Sequence, residues 1–377
     1  MEQNLVNYRR TLHKIPEICF NEFKTSSFIK EELKKMGIDY KESAKTGIVA
    51  FIKGLDDFTI GFRTDMDGLA IKEENDYDFK SMHDGFMHAC GHDFHMALLL
   101  GLANYYKDKT PPCNLLLIFQ PAEEGGGGAN KMLSEGIFNF YKKPDLIFGI
   151  HVNPEYNYNE IAYTSGNAWA GSCEFEIELN GPGGHGAQIN LSTDLLYVFS
   201  NFYNTIQALL SRKKDIFEPA LITIGKIKGF DVPNVFTKKA TIGGTFRFFN
   251  ENTYKFLNSE MVNLLDGLRQ SFNFTYFYRE ISVYLPVKND EKICENFEKI
   301  YKDDLEKKFK IVKSPIVMIS DDVSYFLKEI PGIYFFHGVK KKDGQKLHTP
   351  DFDPDEKALI TGFNLYNYFI ENYKKLI

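Results

Sequence analysis

The chain has 377 residues, of which 43% are hydrophobic and 25% charged. That composition belongs to a globular protein of two or three domains; it excludes a mainly disordered chain, a collagen-like chain and a small disulfide-stapled domain. The net charge is −6 and no basic stripe runs along the sequence, so nucleic acid is not an expected partner. Apolar runs such as 98–100 and 115–119 are far too short to span a membrane, and no apolar leader opens the chain. The five cysteines show neither zinc-ribbon nor redox-motif spacing, which points to free thiols and a cytoplasmic location.

Residues 5–36 have helical spacing, broken at Pro16 and stopped by Gly37 in the place of a C′ glycine. Residues 47–54 and 58–64 are strand-like and lead into Asp65-Met66-Asp67-Gly68. Residues 94–106 read as a buried helix, and 114–119 and 145–150 as fully buried strands. Strands alternating with helices predict an α/β domain with a mostly parallel sheet. Near residue 172 the pattern changes. Cys173, Phe175, Ile177 and Leu179 alternate with Glu174, Glu176 and Glu178, the period of a strand with one buried face. A helix at 194–211, strands at 220–228 and 239–248, a helix at 252–271 and a strand at 274–284 follow. The order β-α-β-β-α-β is that of a ferredoxin-like sandwich. We read 172–285 as a domain inserted into a first domain made of 1–171 and 286–377. The last helix is expected to start with Asp353 as N-cap and Pro354 at the first helical position, with an apolar stripe of Leu359, Phe363, Tyr366, Phe369, Ile370 and Tyr373.

Residues 88–95 read His-Ala-Cys-Gly-His-Asp-Phe-His, three imidazoles, a thiol and a carboxylate within eight positions. Thiolate and imidazole suit zinc and its transition-metal neighbours. The bland alternative is a capped helix start with incidental histidines. Residues 120–128 read Gln-Pro-Ala-Glu-Glu-Gly-Gly-Gly-Gly, directly after a buried strand. Two carboxylates at the carboxyl end of a strand stand where α/β sheets place their sites, and one can ligate metal while its neighbour works as a base. No Lys-Ser or Lys-Thr follows the glycines, which argues against a phosphate loop. His151 follows another strand, and His348 lies just before the last helix. One carboxylate of the pair Asp65 and Asp67 is placed to accept the outer N–H of a metal-bound imidazole.

These motifs resemble the co-catalytic metallo-aminoacylase and carboxypeptidase superfamily, in its amidohydrolase branch. The resemblance is carried by Arg9-Arg10, 12–17, 63–69, 87–95, 120–128, His151-Val152, Gly183-Gly184-His185 and 244–247, and so spans nearly the whole chain. It implies a mostly parallel, zinc-peptidase-like catalytic domain with an inserted ferredoxin-like lid and dimerisation domain. It implies two divalent ions, whether zinc, manganese, cobalt or nickel, held by Cys90, His92, Glu124, His151 and His348. Glu123 is implied as general base, and Asp65 as the aspartate that supports the ligand histidine. Sister branches carry a metal-binding His where this chain has Arg63, and Cys90 is the compensating ligand. His185 matches a lid histidine that holds the substrate carbonyl, and Asn234 and Arg247 match lid positions that contact its carboxylate. After the lid histidine, relatives continue Ala-Ala-x-Pro-His, whereas this chain has Gly186-Ala187-Gln188-Ile189-Asn190.

The implied activity is metal-dependent removal of an acetyl group from an N-acetylated amino acid, a small-molecule partner. Lys24-Thr25, 87–96 and Pro154-Glu155-Tyr156 are most similar to members that deacetylate N-acetyl-L,L-diaminopimelate in lysine synthesis. A broader N-acyl-amino-acid hydrolase, a carboxypeptidase and a non-catalytic binding homologue are the competing readings. A homodimer closed through the lid is the expected assembly.

Overall fold

The computed structural model describes residues 1–306 and 308–377. The chain divides into two compact units, one of Met1–Ala168, Val287–Ile316 and Asp322–Ile377, the other of Trp169–Pro286 and Val317–Asp321. The short segment 317–321 thus joins the second unit, outside the boundaries 172–285 read from periodicity.

The first unit is built on an eight-stranded sheet. Its strands are β1 (Asp39–Ser43), β2 (Gly47–Ile52), β3 (Asp56–Asp65), β4 (Cys113–Gln120), β5 (Leu146–Asn157), β6 (Glu160–Tyr163), β11 (Lys310–Lys313) and β12 (Gly332–Lys340); β7 to β10 belong to the second unit. They lie in the order β1-β2-β4-β3-β5-β12-β6-β11. The middle of the sheet, from β4 through β3 and β5 to β12, is parallel throughout. A strand covered on both faces must be apolar at successive positions, and β4 is buried along its whole length. Helix α1 (Glu2–His13) and the last helix, Ala358–Glu371, pack on α3 (His92–Tyr106). Helix α3 is buried on nearly every side, which is why its sequence carries no polar stripe. Between α1 and α3 runs α2 (Phe23–Lys35), closed by Gly37 at φ 70°, the left-handed conformation that a C′ glycine supplies.

Two expected boundaries move. The last helix begins at Ala358, not beside Pro354, because Asp355 is drawn to β12 by an N–H bond to the Val339 carbonyl and its own carbonyl accepts from Ala358. Strand β5 continues past residue 150 to Asn157, so His151 sits inside a strand and not after one.

The second unit contains β7 (Gly171–Asn180), α4 (Leu195–Arg212), β8 (Leu221–Lys228), β9 (Lys239–Phe248), α5 (Glu251–Ser271) and β10 (Thr275–Tyr284). Its antiparallel sheet has the order β8-β9-β7-β10, the strand order of a ferredoxin-like sandwich. Cys173, Phe175, Ile177 and Leu179 all point into a core shared with Val198, Phe202 and Ile206 of α4 and Leu257, Met261 and Leu265 of α5. Asp194 caps α4 and Asn250 caps α5, each side chain accepting backbone N–H groups of the first turn.

Candidate metal centre

Four stretches of the first unit converge at one end of the parallel strands. Helix α3 presents its first turn, which follows Gly91 at φ 79°; a Cβ there would stand 2.4 Å from Val152 Cγ2, so the Cys90-Gly91-His92 turn requires glycine. The loop after β4 carries Glu123 and Glu124. Strand β5 carries His151. His348 arrives from a loop far along the chain, itself at φ 59°, a left-handed conformation that costs a non-glycine residue energy and marks a constrained position.

Cys90 Sγ lies 3.4 Å from His151 Nε2 and 3.1 Å from His348 Nε2. His348 Nε2 is 3.2 Å from Glu124 Oε1. Ligand atoms of Cys90, His92 and His151 form one group that can hold an ion, and those of Cys90, Glu124 and His348 form another. Cys90 is common to both. His92 Nε2 is buried and has no hydrogen-bond partner, yet it stands 3.8–4.0 Å from carboxylate oxygens of Asp65, Glu123 and Glu124. Donors converging at that spacing, with a buried imidazole nitrogen left unbonded among them, fit a cation.

The charges agree. Burial opposes a proton on His92, but Asp65, Asp67 and Glu124 overcome it and push its pKa up to about 10. Burial, then Glu124 and Glu123, drive the Cys90 thiol well above the usual range. Burial and the neighbouring His95 hold His151 well below the ordinary imidazole value. A divalent cation would reverse the first two shifts by replacing the protons.

Around these groups lies a second layer. His92 Nδ1–H donates to the Asp67 carbonyl at 2.8 Å, and the Asp67 carboxylate is 3.4 Å away. The orientation of the His92 ring is therefore set by Asp67. Asp65 instead accepts from His95 Nδ1–H at 2.6 Å and from Arg63 at 2.9 Å. His95 Nε2 in turn accepts the Val152 N–H at 2.9 Å, so both its ring nitrogens are occupied by protein. Arg63 is buried and also binds Gln120, Tyr334 and Asp322, which satisfies its charge away from water.

In the second unit, His185 and Asn234 come together. His185 pairs with Val235 in a short antiparallel ladder, and the Gly186 N–H donates to the Asn234 carbonyl at 2.8 Å. Gly183 and Gly184 both have φ in the left-handed region, which lets the chain turn into this ladder. The unusual stretch after His185 makes a tight turn, with Gln188 N–H bonded to the His185 carbonyl and Ile189 exposed. Arg247, on β9, donates to Ser320 Oγ at 2.6 Å, and burial lowers its pKa.

The sequence pattern of peptidase family M20/M25/M40 matches residues 61–372. The chain belongs to this family. It is 35% identical over 375 residues to an N-acetyldiaminopimelate deacetylase of Listeria monocytogenes, covering 99% of this chain and 100% of the relative. An enzyme of the same name from Lactobacillus helveticus is 34% identical, with 98% of each chain covered. Among solved structures, a dinuclear metal-binding M20 peptidase of Bacillus subtilis superposes with a TM-score of 0.83 at 26% identity, over 100% of this chain and 99% of that one. The expected family and fold class are borne out.

Three groups of this M20 site escaped the sequence reading. Asp67 was visible only as one of two equivalent carboxylates, and the resemblance favoured the other one, Asp65. His95 falls one helical turn after His92, a spacing that signals a shared face but not a bond to a strand amide. Cys19 was noted only as a free thiol; its Sγ–H reaches the Asp67 carboxylate at 3.3 Å and the Glu124 carbonyl at 3.1 Å.

Proposed function

We propose that this M20 chain is a metal-dependent amidohydrolase that converts N-acetyl-L,L-diaminopimelate to acetate and L,L-diaminopimelate. The observation that carries the reading is the pair of ligand groups joined at Cys90 with Glu123 beside them. Full-length similarity to deacetylases of that name supports the substrate. In this reading Cys90, His92, Glu124, His151 and His348 hold two divalent ions. Such ions, when bound, polarise the amide carbonyl and make water more acidic.

The rest of the chemistry falls to side chains. Glu123 accepts a proton from the attacking water as its oxygen bonds to the acetyl carbon. The carbon–nitrogen bond then breaks, and Glu123 returns the proton to the departing amine, so that acetate and a free amino group result. Asp67 and Asp65, through His95, hold the surrounding frame. His185 donates to the developing oxyanion, and Asn234 and Arg247 receive the substrate carboxylate. We also place the enzyme in the cytoplasm, working as a homodimer through its second unit. Five free cysteines suit a reducing compartment, and among the described residues no helix is long and apolar enough to cross a membrane.

The test is acetate release from a panel of N-acyl amino acids by protein loaded with Zn²⁺ or Mn²⁺. N-acetyl-L,L-diaminopimelate is expected to have the highest kcat/KM. Preference for N-benzoylglycine or for a dipeptide would assign the chain to a broader acylase or to a carboxypeptidase.

A further inference from the structure

The loop that carries Glu123 and Glu124 is held in an unusual way. Its second residue, Ala122, has φ 55°, a left-handed conformation that is unfavourable for a side chain with a Cβ. The amide N–H groups of three successive residues are all taken by buried carboxylates. Ala122 N–H donates to Glu22 Oε1 at 2.9 Å. Glu123 N–H and Glu124 N–H donate to the two oxygens of Asp67, at 3.0 and 2.9 Å. Glu22 is anchored by Thr46 Oγ1–H at 2.6 Å and Phe20 N–H at 2.9 Å. Asp67 is anchored by Cys19, and its own main chain holds His92. Both carboxylates are fully buried.

We propose that Asp67, seconded by Glu22, is a positioning residue that cradles the Glu123–Glu124 turn and fixes it against His92. A carboxylate is the one side chain of this size with two acceptor oxygens and no donor, and two adjacent N–H groups ask for that. One residue thereby ties three functional groups together: the base Glu123, the ligand Glu124 and the ligand His92. The inference rests on the roles given to those three above. It makes a specific demand, because misplacing this turn disturbs the base and one ligand together while leaving Cys90 and His151 in place.

The test is Asp67→Asn, in the full-length protein. Asparagine has the same shape but turns an N–H₂ toward one of the two N–H donors. Mn²⁺ is titrated by calorimetry, and acetate release is followed at saturating Mn²⁺. The first Mn²⁺ should bind normally and the second about 10–100-fold more weakly, as expected when a ligand loses its outer partner. At saturating Mn²⁺, kcat should stay about 10²-fold low with KM little changed, because Glu123 is displaced as well. Ile206→Ala, a cavity in the separate core of the second unit, should lower Tm while leaving the second Mn²⁺ affinity unchanged. Should Asp67→Asn fail to fold, Asp67→Ser takes its place and the same shifts are expected. Unchanged second-site affinity together with normal kcat overturns the proposal; so does a kcat that recovers fully once Mn²⁺ saturates. Wild-type protein that binds two Mn²⁺ but releases no acetate removes the substrate reading, and the second-site affinity alone then decides on Asp67.

Discussion

Loading the centre with metal should expel protons, and the structure says from where. Without metal, His92 has a pKa of about 10 and is protonated at pH 7, held so by Asp65, Asp67 and Glu124 against the cost of its burial. Cys90 is a thiol, its pKa raised well above the ordinary value by burial and the nearby glutamates. Both must lose a proton to bind metal. His151 lies well below the usual imidazole range, so it is already neutral and has none to give. At pH 7 these two groups alone should release about two protons per chain. Calorimetric titration with Zn²⁺ in three buffers of different ionisation enthalpy measures that number as the slope of observed against buffer enthalpy. Cys90→Ser should lower the slope by about one, since a serine hydroxyl does not ionise at this pH. Any proton lost by water at the loaded centre is common to both proteins and cancels in the difference. Affinity should also rise with pH over the neutral range. A slope near zero for the wild type, or identical slopes for the two proteins, would refute the assignment of Cys90 and His92 as ligands.

Two further outcomes follow from other parts of the structure. His13 lies buried between Asp93 at 2.9 Å and Glu73 at 3.0 Å, and these carboxylates raise its pKa although burial opposes the charge. Its stabilisation is therefore complete below about pH 6.5, the ordinary imidazole value, and is lost as pH rises through its folded value. His13→Gln should cost about 3 kcal/mol at pH 6, with the gap to wild type narrowing by pH 10 in denaturant titrations; a gap that widens with pH would contradict the assignment of charge. His185→Ala should lower kcat about 10²–10³-fold with metal content unchanged, measured by turnover and elemental analysis. Mixing it with inactive Glu123→Gln protein should restore part of the activity if the site is completed across a dimer, and loss of metal from His185→Ala would show that the division of roles is wrong.

Much of the fold is legible because burial imposes period and composition. The all-apolar run of β4 and the strict alternation of β7 each admit one reading, and the order of elements in the second unit then follows. Strand β1 was missed because it is an edge strand with mostly exposed residues, so no apolar alternation announces it. The late start of the last helix depends on a bond from Asp355 to a strand, a tertiary contact without local trace. At the site, the proposed ligands are legible because thiol, imidazole and paired carboxylates are rare in such density. Their supports are not. Both aspartates bond to the first turn of α3, Asp67 through its carbonyl to His92 and Asp65 through its carboxylate to His95, and nothing local in the sequence assigns which takes which. Asp322 reaches Arg63 across 259 positions, and His348 reaches Cys90 across 258, distances over which a single sequence carries no pairing signal.

The central claim is that Glu123 moves the proton at a two-metal amide-hydrolysing centre. Turnover of N-acetyl-L,L-diaminopimelate by metal-loaded Glu123→Gln tests it most directly, with metal content measured on the same sample. The account predicts two ions per chain, as in the wild type, and acetate release reduced by about 10²–10⁴-fold. Near-normal acetate release with both ions in place would contradict it.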